Sequence, residues 1–407
     1  MAALPTQHNS SIEAAVAALG SGPLTEAALQ RHVAPLFSRV RAAFRDRVYL
    51  ANHSLGRPLD TVDDDVREGV ARWYDRMGGA WEDWDAEMQA FRQRLGLLLH
   101  APRADCVVPK SSAGQGLRAI LNTYDTVPRV VATRGEFDSL DVILREYARR
   151  GRIALTLIES RERGSFDMED IVAAIGAGTD LVVVSQVIFT TGQRLADLPS
   201  IVAATHRAGG RLLLDVYHAL GVFPVDVAAL DVDFAVGGSY KYLRGGPGAG
   251  FLYVHPRHLD AGLRTLDTGW FAKAAPFTYE RPDPPRYAAG GDGWLESTPA
   301  VLTLYQSRAG QIFTQAIGVA RLREHSLRLQ RQLTSLLAEH GVEAQGGTED
   351  RGAFVVVRRD DAVACSDALL QRGIVTDARG AWLRLCPDVL TTHGELERAA
   401  VALGRLR

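Results

Sequence analysis

Between about residues 105 and 255 short apolar runs alternate with amphipathic stretches. The runs are Arg129–Thr133, 153–158, Leu181–Ser185, Arg211–Asp215, 233–236 and Gly250–Val254. They are apolar at consecutive positions rather than alternate ones, so both faces of each strand must be covered. Strands of that kind with helices between them predict an α/β domain on a mostly parallel sheet. In such sheets a ligand sits beyond the carboxyl ends of the strands.

Around this block, residues 11–47 and 60–100 read as helical. Ser11 or Thr25 would cap the first, and Trp73, Trp81 and Trp84 enrich the second. The Pro-, Gly- and Tyr-rich stretch 272–297 reads as a long ordered loop, followed by one long helix over 300–340. Past Gly341, apolar runs at 353–357 and 381–385 flank a helix ending at Gly373, which predicts a small α+β unit. The expected division is an N-terminal helical segment, 1–48, packing with a small domain, 301–407, and a large domain, 49–300.

Composition narrows the function classes. A net charge of −2 without a basic block points away from nucleic-acid and membrane surfaces. Cys106, Cys365 and Cys386 form no CxxC pair and have no histidine at ligand spacing, so neither a disulfide framework nor a metal site is expected. They read as buried thiols in a reducing compartment. Residues 1–8 lack a basic stretch followed by an apolar one, and no segment approaches a membrane span, so the chain reads as cytoplasmic.

Two residues at strand ends carry the chemistry. Asp215 closes the run Arg211–Asp215, and Lys241 follows the run 233–236, before Gly245-Gly246-Pro247-Gly248. A lysine held there can form an imine, and an acid on the neighbouring strand can keep a pyridine nitrogen protonated. That pairing is what pyridoxal 5'-phosphate (PLP) requires. A lone lysine after a strand is ordinarily solvated; the aspartate partner changes the reading. Ser111 and Ser112 precede a helical run and would offer free N–H groups to a phosphate, although a capped helix without ligand explains them equally well. Phe137 could stack on a flat ring or sit in the core. His218 follows Asp215 by one turn, where it would contact the cofactor or cap a helix. Arg379 and Arg384 flank the last strand, and a guanidinium there suits a substrate carboxylate. His53, His206, His255 and His258 read as structural or exposed.

Together these residues resemble a fold-type I PLP enzyme of the class V aminotransferase group, in its kynureninase-like branch. Asn52-His53-Ser54-Leu55-Gly56 is similar to that branch's Asn-Ser-Leu-Gly, and Asp215-Val216-Tyr217-His218-Ala219-Leu220-Gly221 to its Asp-x-x-His-Ala-x-Gly. Ser239-Tyr240-Lys241-Tyr242-Leu243, Gly246-Pro247-Gly248, Gly269-Trp270-Phe271 and Ser297-Thr298-Pro299 resemble further elements, so the likeness spans residues 49 to about 387. It implies a large domain on a mostly parallel seven-stranded sheet and a smaller α+β C-terminal domain. It implies that Lys241 holds the cofactor and moves the Cα proton, that Asp215 pairs with the pyridine nitrogen, and that Phe137 stacks on the ring. Ser111, Ser112 and Tyr240 would bind phosphate, His218 would lie beside the cofactor oxygen, and Tyr240 would donate a proton. Trp270 and Thr298 would reach a neighbouring subunit, which makes a homodimer with shared active sites; Ser54 and Arg384, with Arg379, would hold the carboxylate of an amino acid. The implied reaction is Cβ–Cγ hydrolysis or a related β- or γ-elimination, with an aminotransferase, an epimerase or a non-catalytic homologue as alternatives.

The branch's substrate-side residues are altered. Asn-Tyr-Arg-Thr-Gly is replaced by Ile188-Phe189-Thr190-Thr191-Gly192, the histidine after Gly-Trp-Phe by Ala272-Lys273, and Pro-Leu-Tyr by Cys386-Pro387-Asp388. No histidine loop is visible at 77–81, and the acid after Phe137 is replaced by Leu140, with Asp141 beside it. The expected substrate is therefore not ordinary kynurenine.

Overall fold

A computed structural model describes residues 7–406, so part of the N-terminal reading, residues 1–6, lies outside the described residues. The alternating block folds as expected into seven strands. These are β1 (Val107–Lys110), β2 (Arg129–Thr133), β3 (Ala154–Ile158), β4 (Leu181–Ser185), β5 (Arg211–Asp215), β6 (Phe234–Gly238) and β7 (Gly250–Val254). Their order in the sheet is β1-β7-β6-β5-β4-β2-β3. Strands β2 to β6 run parallel, and β7 is antiparallel to both β6 and β1. Leu212, Leu213 and Leu214 of β5 and Val182, Val183 and Val184 of β4 are all fully buried, which is what continuous apolar runs require. Strand β1 was not anticipated. It contains Pro109, which cannot donate to a ladder, and it is tolerated because β1 is an edge strand.

The register sets the site. Ser185 pairs with Asp215, and Asp215 with Val236, so the ends of β4 and β5 are level and β6 runs two residues further, to Gly238. At the opposite end buried Asp233 accepts hydrogen bonds from the Leu212 N–H at 2.8 Å and contacts His206 Nε2 at 2.9 Å and His258 Nε2 at 2.7 Å. Those two histidines are structural.

The helices Val62–Arg76 and Ala80–Leu99 match the second helical expectation. In the first, Thr25 is the cap, its hydroxyl taking the Ala28 N–H at 3.3 Å, whereas Ser11 lies inside the helix Gln7–Ala17. The single helix expected over 300–340 is two, Val301–Ile317 and Val319–Glu339. Gly318 between them takes φ +88°, a left-handed conformation outside the α-helical range. The loop 272–297 carries only short 3₁₀ turns.

A second core joins Val48 and Leu50 to Leu333, Val355, Leu383 and Leu385. Its sheet is the antiparallel set 377–379, 382–385 and 355–358, and Val48–Tyr49 pairs in parallel with Ile374–Val375. A third cluster packs Ile12, Val33 and Phe37 against Phe313, Ile317 and Leu390. Among the described residues no helix is long and apolar enough to cross a membrane, and no group of side chains is arranged to hold a metal. All three cysteines are buried and unpaired.

Candidate active site

The carboxyl ends of β4, β5 and β6 open onto a cavity of about 160 Å³. Ser111, Ser112, Phe137, Asp215, His218, Tyr240 and Lys241 all line it, with Ser185, Phe189 and Gly248. Seven residues expected from sequence thus meet at one place. Lys241 and Asp215 are each 4% exposed. Burial pushes the Asp215 carboxyl up to about 6, against the Tyr217 N–H that donates to Oδ1 at 2.8 Å and the nearby Lys241 charge. Burial likewise brings the Lys241 ammonium down to about 7, with Asp215 opposing and Arg384 assisting. Lys241 Nζ lies 2.7 Å from His218 Nε2 and 5.2 Å from the centre of the Phe137 ring. Burial, and then the Lys241 charge, hold His218 well below its ordinary pKa, so it is neutral and can accept from Nζ.

Ser112 caps the helix Ala113–Leu121, its hydroxyl taking the Gln115 N–H at 3.2 Å. The Ser111 N–H and hydroxyl both donate to Gln115 Oε1, at 2.7 and 3.0 Å. Gln115 Nε2 donates in turn to Glu296 at 2.9 Å, and Glu296 pairs at 2.7 Å with the buried Lys110. Both Ser111 donors are thus engaged by Gln115 Oε1, which an anion at Ser111 would have to displace.

Other expected residues lie apart. Trp270 donates to Thr298 at 3.2 Å, and Thr298 lines an adjoining cavity with Ser111 and Gly248 rather than the one around Lys241. Ser54, Arg379 and Arg384 do converge, but on Asp377. Arg384 and Arg379 donate to its Oδ1 at 2.7 and 2.9 Å, and the Ser54 hydroxyl donates to Oδ2. None of the three lines the cavity. Asp377 escaped the sequence reading because a charged residue two positions before an arginine reads as a surface pair.

Glu136 was also missed. It is 2% exposed, and its carboxylate accepts from the Thr133 hydroxyl at 2.6 Å, the Ser185 N–H at 3.2 Å and the Ser185 hydroxyl at 2.6 Å. Burial raises it to about 7 despite those bonds. Its one sequence signal is an acid directly before Phe137. His53, expected to be structural or exposed, is 1% exposed and stacks obliquely on Phe354, with ring centres 5.0 Å apart.

The altered segments have distinct fates. Phe189 lines the cavity, meets Phe137 edge-on at 5.3 Å, and its carbonyl accepts from Arg384 at 2.5 Å. Leu140 is buried, whereas Asp141 pairs outward with Arg145 at 2.6 Å, leaving Ser139 on the cavity wall. Asp388 does not face the substrate side: its carboxylate is buried between Arg57 and Arg244, the latter at 2.7 Å. The Cys386 thiol is buried, contacts the Ala353 carbonyl at 3.3 Å and is pushed up by burial, so it is inert.

Comparison with known proteins gives a consistent assignment. The model of the family "Aminotransferase class-V" matches residues 66–377. A kynureninase of Salinispora tropica is 34% identical over 389 residues, covering 88% of this chain and 90% of that protein. The chain belongs to the class V aminotransferase family, in its kynureninase-like branch. A kynureninase of Deinococcus radiodurans is 28% identical, covering 88% and 89%. An uncharacterized aminotransferase, YcbU, of Bacillus subtilis is 26% identical over 82% and 88%. Among solved structures, the cystine C-S lyase C-DES in complex with cysteine persulfide superposes with a TM-score of 0.78, at 18% identity, over 89% of this chain and 98% of that one. An apo cysteine desulfurase of Thermococcus onnurineus superposes at 0.77 and 17%, over 91% and 97%. These likenesses agree with a fold-type I architecture.

Proposed function

We propose that this enzyme holds PLP at Lys241 and breaks a Cβ–Cγ bond, or a related β or γ bond, of an L-amino acid. The observation that carries this is a buried lysine beside a neutral histidine, with a buried aspartate, a phenylalanine ring and a capped helix start lining one cavity. These residues suit the cofactor: an amine for its aldehyde, an acid for its ring nitrogen, a flat face, and N–H and hydroxyl donors for its phosphate. When bound, the cofactor supplies a ring that takes up negative charge from the substrate Cα.

The chain's residues have the remaining tasks. Lys241, whose pKa burial lowers, gives up its proton more readily than an ordinary lysine and can take the Cα proton. His218 orients Nζ through the 2.7 Å contact. Tyr240, whose phenol pKa is raised by burial, keeps its proton at neutral pH and would give it to a leaving carbon, or with Ser111 and Ser112 would hold the cofactor phosphate. Arg384, Arg379 and Ser54, which surround the Asp377 carboxylate outside the cavity lining, are the groups suited to a substrate carboxylate. Phe189, where the branch carries tyrosine followed by arginine, makes the substrate-side wall more apolar, which supports a substrate other than ordinary kynurenine. An aminotransferase or epimerase is the second reading, favoured by the likeness to YcbU.

We further propose a cytoplasmic homodimer in which Trp270 and Thr298 serve the partner's site. Their place outside the Lys241 cavity lining and the aromatic cluster of Trp81, Trp270, Phe277 and Tyr279 support the dimer, and three unpaired cysteines suit a reducing compartment.

Purified holoprotein should be yellow, with a visible band that borohydride abolishes; a reducible band persisting in Lys241→Ala would sink the lysine assignment. Anthranilate fluorescence with kynurenine at rates comparable to a dedicated kynureninase would overturn the substrate reading. A requirement for a keto acid to sustain turnover would select the aminotransferase.

A further inference from the structure

Three buried nitrogens near the active site have no hydrogen-bond partner among the described residues: His53 Nδ1, His53 Nε2 and Arg384 Nε. Both residues are almost wholly buried, at 1% and 2% exposed. A buried polar atom without a partner is costly, so three in one patch need a reason. They share their surroundings. The Phe354 ring is 5.0 Å from the His53 ring, 5.6 Å from the Arg384 guanidinium and 5.7 Å from the His218 ring. His218 in turn touches Lys241 Nζ. Asp377 contacts Arg384 Nη2 at 2.7 Å and stands 3.9 Å from His53 Nε2, beyond hydrogen-bonding reach.

The groups facing His53 decide its form. Burial, then the Arg384, Lys241 and Arg379 charges, all oppose protonation, and Asp377 is the nearby anion. His53 is thus a neutral imidazole with one N–H to give. Arg384 bonds the Phe189 carbonyl through Nη1 and Asp377 through Nη2, which fixes its plane and leaves Nε as the nitrogen without a partner. The patch is electropositive, holds unused donors, and adjoins the lysine that would meet an amino acid's Cα.

We infer that His53 is a carboxylate-binding residue, which grips the α-carboxylate of the substrate together with Arg384 while Asp377 braces the guanidinium. This rests on the proposed function, because it takes the ligand to be an amino acid held at Lys241. Asp377 itself shows that these residues suit a carboxylate, since Arg384, Arg379 and Ser54 already surround one.

The test uses holoprotein and reads dissociation constants from the change in cofactor absorbance. The probes are L-alanine and ethylamine, which is the same molecule without the carboxylate. His53→Phe keeps a ring against Phe354 and removes both nitrogens; His53→Gln keeps a donor. The expected result is an L-alanine constant at least about tenfold weaker in His53→Phe, the loss of one hydrogen bond to a charged group. Ethylamine binding stays unchanged in His53→Phe, and L-alanine affinity is largely retained in His53→Gln. Equal weakening for both probes, or none for L-alanine, overturns the inference. Should His53→Phe not fold, His53→Met carries the same expectations. A wild-type holoprotein with no absorbance band would overturn the proposed function itself, an outcome separable from the others.

Discussion

Lys241 is a residue whose usefulness comes from being uncomfortable. Burial lowers its pKa from 10.5 to about 7 against the opposing charge of Asp215, and His218 Nε2 lies 2.7 Å from its Nζ. That has a consequence for stability. A cation with a folded pKa below its unfolded value weakens the fold fully below the folded pKa, and the penalty fades as pH rises towards the unfolded pKa. The cofactor-free protein should therefore gain stability between pH 7 and about 10, and Lys241→Met should lack that part of the gain. Urea unfolding of both proteins across this range checks it; parallel curves would show that the lysine is not buried as a free amine. Lys241 and Asp215 were legible in sequence because each ends or follows an apolar run. Glu136, His53 and Asp377 were not, because their importance lies in who surrounds them.

Between elements, glycines set how closely segments approach the site. Gly56 donates its N–H to the Tyr240 carbonyl at 2.8 Å, and a Cβ on it would lie 1.9 Å from the Lys241 carbonyl oxygen. Its neighbour is backbone, which cannot turn aside. Gly56→Ala should displace the Tyr240–Lys241 segment and weaken cofactor retention at least about tenfold, with helical content preserved. Equilibrium dialysis with circular dichroism checks both parts. The same closeness brings the segment at 54–56, far from Lys241 in sequence, against the backbone of Tyr240 and Lys241. Elements with a strong period were readable: the six apolar runs became strands. Strand β1 was not, because Pro109 breaks the expected pattern. The break at Gly318 was overlooked because one glycine inside a helical pattern is compatible with continuity until its φ is known.

At the level of the whole molecule, Asp388 ties distant parts together. It joins Arg57, near the N-terminal strand, to Arg244 in the loop after Lys241. Asp388 is held far below the usual carboxylate range by the two guanidinium groups, although its carboxylate is largely buried. Removing it leaves two cations buried without compensation. Asp388→Ala should cost about 3–5 kcal/mol in denaturant unfolding. A loss under about 1 kcal/mol would mean that the pair of arginines finds water or another anion instead.

What could be read from residue order was whatever repeats or clusters locally. Continuous apolar runs dictated a sheet buried on both faces, and acid and lysine at neighbouring strand ends pointed to the cofactor. Tertiary structure decided everything that depends on convergence. It turned Asp388 from a substrate-side departure into a structural lock, placed Ser54, Arg379 and Arg384 around Asp377, and buried His53 with its nitrogens unspent. The reason is physical: periodicity records which face of an element is covered, whereas burial and pairing of a single charged group depend on chain segments hundreds of residues apart.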